Sequence, residues 1–164
     1  MTDKTQDLIS ALREELKNYG EMLALLDRQQ GSIISRASHD VFQSISIIKA
    51  QTDAIQAARA AREDCRRAIA EKLSQEPDIS FTDLIATLPG EYRPLLQALV
   101  DENNQLLQRI RQRARQNHQL LHRSVELMQG VINTLFPRQT TVYNDRGDLA
   151  PAGVTPRRLC NAVG

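Results

Sequence analysis

The sequence predicts an all-α fold: a long antiparallel helical hairpin, coiled-coil-like, with a short connecting helix and a flexible C-terminal tail. Three observations carry this expectation. Aromatic content is 4% without Trp, and only 7 Gly and 6 Pro interrupt 164 residues; Ala, Leu, Gln, Arg and Glu dominate, the composition of long helices. Apolar residues recur in steps of three and four from Leu8 to Leu135, the spacing of one helical face. That rhythm stops at Phe136-Pro137, and Gly147, Pro151, Gly153 and Pro156 follow, residues that punctuate rather than build regular structure.

The first helix is expected over about residues 3–74. Leu8, Leu12, Leu16, Tyr19, Leu23, Leu26, Ile33, Ala37, Val41, Ile45, Ile48, Ile55, Cys65, Ile69 and Leu73 form its seam. Four-residue steps at Leu8-Leu12-Leu16 and Ala37-Val41-Ile45 depart from a strict heptad and would unwind a supercoil locally. Gly31 is the weak point, since a glycine inside a helix costs about 1 kcal/mol relative to alanine. The apolar rhythm resumes in register after it, so it reads as a tolerated glycine, with a hinge as the alternative.

Gln75-Glu76-Pro77-Asp78 breaks the helix. Ser80-Phe81-Thr82-Asp83 has the form of a capping box, with Ser80 as N-cap and Asp83 reaching back. The short helix it starts spans about 81–88 and is closed by Pro89-Gly90. Pro94 suits the first turn of a last helix over about 94–136, where its missing N–H breaks no internal bond. Leu96, Leu99, Leu106, Ile110, Leu121, Ser124, Met128, Val131 and Leu135 lie along one face of that helix, with Asn103 and Asn117 on the same seam. Asparagines at such positions set register. The organisation expected is a helical hairpin domain over 1–136 and a flexible partner-binding tail over 137–164.

Short connections make the two long helices antiparallel neighbours. At 1.5 Å per residue the first is about 105 Å long and the last about 65 Å. Paired from the turn outward, the last helix ends opposite Gly31 and leaves the first thirty residues uncovered. Each leucine left in water forgoes about 1.5–3 kcal/mol. The tail, a second copy, a fold-back at Gly31 or a client protein would have to cover Leu12, Leu16, Tyr19, Leu23 and Leu26, which therefore form a possible secondary interface.

Composition and motifs exclude several function classes. A formal net charge of +1 offers no general attraction for nucleic acid or an acidic membrane. Cys65 and Cys160 form neither a disulfide framework nor a metal site, and a reducing cytoplasm is expected. The first thirty residues carry too many acids for a signal peptide, and no stretch approaches the roughly 20 apolar residues of a membrane span. His118 and His122 share a helical face but lack the further ligands a metal needs. No serine has a base at motif spacing, and no glycine loop cradles phosphate. No catalytic residue, metal or cofactor is expected. Arg109, Arg111, Arg113 and Arg115, like Arg59, Arg62, Arg66 and Arg67, read as solvated faces opposite acidic residues. In the tail, Tyr143 either packs back on the helices or serves as an aromatic anchor for a partner.

One segment is more specific. Asn117-His118-Gln119-Leu120-Leu121-His122-Arg123-Ser124 continues through Leu127, Val131 and Leu135 to Pro137, then enters Thr141-Val142-Tyr143-Asn144-Asp145-Arg146-Gly147. An Asn-x-x-Leu-Leu-x-x-Ser stretch, a proline break and a Tyr-x-x-x-Gly tail in that order resemble the FlgN family of flagellar export chaperones. The architecture over residues 3–136 is also similar to that family. The resemblance implies a cytoplasmic bacterial protein that binds the C-terminal segments of the hook–filament junction proteins FlgK and FlgL. It would prevent their premature assembly and deliver them to the flagellar type III export apparatus. It implies client contacts at Met128, Val131, Ile132, Leu135 and Phe136, and docking at the export gate through Tyr143. The resemblance assigns no role to the stretch after Gly147, with Pro151, Pro156 and Cys160. The alternative is a structural helical hairpin that homodimerises through its N-terminal leucine stripe.

Overall fold

A computed structural model describes residues 2–76, 79–135, 141–143 and 149–151. Four helices appear in chain order: α1 (Thr2–Ile34), α2 (Ser38–Lys72), α3 (Phe81–Thr87) and α4 (Arg93–Leu135). Two short strands follow, β1 (Thr141–Tyr143) and β2 (Leu149–Pro151), paired antiparallel with Val142 opposite Ala150. The chain divides into two compact units, residues 1–121 and 122–164.

The all-helical class expected from composition and periodicity is what the chain adopts. The single helix expected over 3–74 is instead two. α1 ends at Ile34 and the chain reverses within three residues. Arg36 adopts a left-handed backbone with φ of 59°, while the Arg36 N–H donates to the Ile33 carbonyl (3.2 Å) and Ala37 N–H to that of Ser32 (2.9 Å). These two bonds are a Schellman closure, built on arginine where glycine is usual. The end of α2 repeats it: Ser74 has φ of 55°, and Gln75 N–H donates to the Ala70 carbonyl at 2.9 Å. Gly31 lies inside α1 as a tolerated glycine, and a β-carbon there would meet nothing within 4 Å.

Reversal at Arg36 lays α1 antiparallel along α2. The Asn18 backbone and side-chain oxygens both accept from Gln51 (3.0 and 3.1 Å), and Ser44 Oγ accepts from Gln29 (2.9 Å). The seam residues of α1 then face inward between α2 and α4. One core cluster joins Leu8, Ile9 and Leu12 of α1 with Ile69 and Ala70 of α2, Leu84 and Ile85 of α3, Leu88, and Leu96 and Leu99 of α4. A second joins Tyr19, Met22 and Leu26 with Ile55, flanked by Ile48, Leu106, Leu107 and Ile110. Leu12, Tyr19, Leu23 and Leu26 are buried and Leu16 is half-buried. Of the four coverings open to that stripe, the chain uses a fold-back, made at Arg36 rather than at Gly31, and the leucines become the centre of the fold. Burial of one such side chain is worth about 1.5–3 kcal/mol, so the fold-back satisfies the leucines from within.

Ser80 is the N-cap the sequence indicates, its Oγ accepting from Asp83 N–H at 3.2 Å. Asp83 reaches back to the Ser80 hydroxyl, which donates to Oδ2 at 2.7 Å, rather than to the Ser80 backbone N–H of a full capping box. Leu84 and Leu88 are fully buried, so α3 plugs the end of the bundle.

Of the four α2 arginines expected on a solvated face, Arg59 and Arg67 are exposed and Arg62 and Arg66 are not. Arg62 donates to the fully buried Glu15 at 3.0 Å, Tyr19 Oη donates to the same carboxylate at 2.8 Å, and Arg62 lies 5.3 Å from the Phe81 ring centre. Arg66 is buried, donates to the Ile79 carbonyl and pairs with Glu63. That hydrogen bond from Arg66 holds the Glu63 carboxyl below its ordinary range. A carboxylate taken out of water needs such partners, because an unpaired buried charge is strongly destabilising.

Candidate functional site

α4 changes character along its length. Its buried residues are Leu96, Leu99, Asn103 and Asn117, and every residue from 122 to 135 is exposed. Within that stretch Val125, Leu127, Met128, Val131, Ile132 and Leu135 are large apolar side chains 45–72% exposed. On a helix they cover a stripe about 160° wide at 100° per residue. A solvent-facing helix stripe this apolar is a candidate interaction surface.

The backbone beneath the stripe is intact helix, and its polar side chains are satisfied along it. Thr134 Oγ1 donates to the Gly130 carbonyl (2.9 Å), Gln129 Nε2 donates to Asn133 Oδ1 (3.2 Å), and His122 Nδ1 lies 3.4 Å from Glu126. A groove of about 690 Å³ runs along one edge of the stripe, lined by Arg123, Glu126, Leu127, Gly130, Val131, Thr134 and Leu135. Gly130 leaves its floor open, with no heavy atom within 4 Å of where a β-carbon would stand. Such a surface can seat an apolar segment.

The expected site residues divide as follows. Val131 and Leu135 line the groove, while Met128 and Ile132 lie on the same stripe beside it. Phe136 lies outside the described residues. Tyr143 is the last residue of β1, and its side chain is likewise outside them. Val125 and Leu127 belong to the exposed stripe although neither is among the client contacts carried over from the family pattern. The signal for them is in the sequence: six of the eleven residues from 125 to 135 are large and apolar, more than one packing seam needs.

A smaller exposed group stands near the α1–α2 turn, where Ile34, Phe42, Ile45 and Ile47 are 44–76% exposed. Ile45 thus lies outside the core although it falls on the sequence seam. Cys65 is a free thiol packed at the edge of the first cluster. Burial raises its pKa, and Asp7 and Asp64 add to the effect, which suppresses the reactive thiolate. Among the described residues no three His, Cys, Asp or Glu side chains group as a metal site, and no helix is long and apolar enough to cross a membrane.

Comparison with known proteins agrees with this picture of a helical binding protein. No curated protein and no solved structure matches the chain. A family model described as FlgN protein matches residues 1–151. That span takes in the whole helical bundle, the exposed end of α4 and both strands, so the chain belongs to the FlgN family of flagellar export chaperones.

Proposed function

We propose that this protein is a cytoplasmic export chaperone for hook–filament junction proteins of the FlgK and FlgL type. The exposed end of α4 covers a C-terminal amphipathic segment of the client and keeps it from assembling. The complex is then brought to the flagellar type III export gate, with Tyr143 as the docking residue. The observation that carries this reading is the apolar stripe of Val125, Leu127, Met128, Val131, Ile132 and Leu135 on an otherwise self-satisfied helix. Filament-type proteins polymerise through amphipathic terminal helices, and an apolar helix face or groove is the surface that shields such a segment. Phe136 extends the stripe in sequence. No catalytic role is assigned to any residue.

Size-exclusion chromatography with light scattering tests this, with the chain alone and mixed with its host's FlgK C-terminal segment. A stoichiometric complex that disappears when residues 128–164 are removed is the expected result. Absence of a complex, together with a tight dimer of the chain alone, would reject the chaperone reading in favour of pairing between copies through α4.

A further inference from the structure

α4 is held to α1 in a way that differs from the rest of the core. After Leu99, the buried side chains of α4 among the described residues are Asn103 and Asn117, and Leu106, Leu107 and Ile110 are only partly buried. Asn103 Nδ2 donates to the Leu12 carbonyl at 3.1 Å, and Asn117 Nδ2 donates to the Leu26 carbonyl at 2.9 Å and to Gln29 Oε1 at 3.0 Å. The two asparagines are fourteen residues apart, and so are their acceptors, which sets α4 parallel to α1 in one register. Yet both Oδ1 atoms are buried without a hydrogen-bond partner among the described residues. A surface link adds to these: Arg113 lies 2.7 Å from Asp27 and also donates to Gln30. By contrast, α1 and α2 approach each other closely along their length, whereas α4 stands further off.

From this we infer that residues 103–121 of α4 form a polar-latched segment that opens away from the α1–α2 pair without unfolding it. The amide-to-carbonyl bonds define where the segment docks, while the two orphaned acceptors keep docking weak, because a buried polar atom without a partner carries its full desolvation penalty. Leu96 and Leu99, packed among Leu8, Leu12, Leu84 and Leu88, anchor the hinge end. Opening bares Tyr19, Met22, Leu26 and Ile55 together with the carbonyls of Leu12 and Leu26. The inference concerns how α4 is held and stands apart from what the end of α4 binds.

Native-state hydrogen exchange on the full chain tests it, read by NMR or fragment mass spectrometry. Amides of 103–121 are expected to exchange through an opening about tenfold or more populated than the one exposing residues 8–26 and 55–70. Gly20→Ala separates local from global opening. Gly20 has open space at its β-carbon position, so alanine should stabilise α1 and slow exchange of 8–26 about fivefold. α1 stays helical when the segment opens, so 103–121 should be unaffected. Equal slowing of both regions would mean that 103–121 exchanges only by global unfolding, and would overturn the inference. Asn103→Leu with Asn117→Leu should slow exchange of 103–121 by about tenfold. Faster or unchanged exchange in that folded variant would show that the asparagines are not the source of the weakness.

Discussion

Glu15 and Tyr19 show how single side chains tie the helices together. The Glu15 carboxylate is fully buried and accepts from Arg62 of α2 and from Tyr19 one turn along α1. Removing it in Glu15→Ala leaves Arg62, which is 22% exposed, with Glu63 at 4.0 Å and takes the acceptor from Tyr19 Oη; losing charge-assisted hydrogen bonds of this kind costs about 1.5–3 kcal/mol. Thermal or urea unfolding would measure the loss; a change under 1 kcal/mol would mean the pair is solvated. Burial, then the hydrogen bond to Glu15, pushes the Tyr19 pKa up to about 12. A folded-state value above the unfolded 10 contributes stability below pH 10, and that contribution is lost as pH rises from 10 toward 12. The difference between parent and Tyr19→Phe titrations at 295 nm should therefore rise near pH 12. A difference centred at pH 10 would show that Tyr19 is exposed to water.

Helix ends decide what the elements can do. Arg36 and Ser74 hold left-handed conformations that favour glycine. Arg36→Gly is expected to stabilise the α1–α2 turn by about 0.5–1 kcal/mol, read as a rise in melting temperature; a fall would indicate that the Arg36 side chain matters more than its backbone. At the far end of α4 the surface is expendable for folding. Val131→Asp together with Leu135→Asp places charge on residues already 57% and 67% exposed, so helicity by circular dichroism should hold. Client affinity should fall about a hundredfold or more, from the loss of two apolar contacts worth about 1.5–3 kcal/mol each. Unchanged affinity by calorimetry would move the client site elsewhere, with Phe42 and Ile45 near the α1–α2 turn as the next exposed apolar group.

At the scale of the whole molecule, the apolar residues that build the core and those proposed to bind a client are different sets. The α1 leucines are consumed in the bundle, while the end of α4 keeps its apolar residues in water. Function should then separate from stability. Tyr143→Ala is expected to leave both melting temperature and client binding intact while client secretion in cells falls. A drop in melting temperature would instead make Tyr143 part of the packed body.

What the sequence by itself determined was local. Composition and the three-and-four rhythm specify helices, because side chains at those steps share a face wherever the helix lies. Pro77, Pro89-Gly90 and Pro137 mark the breaks, and Ser80 with Asp83 marks a cap, because each acts through its own backbone. The apolar excess between 125 and 135 was visible for the same reason. The tertiary structure decided how the faces are matched. Reversal at Arg36 carries no glycine or proline signal, since its closure rests on backbone bonds that any residue makes once packing holds it there. That one turn placed Leu12, Tyr19, Leu23 and Leu26 inside the bundle, set Arg62 and Arg66 among buried partners, and left Ile45 outside. Periodicity tells which face of a helix is apolar; which other face it meets is a long-range choice that only packing of the whole chain makes.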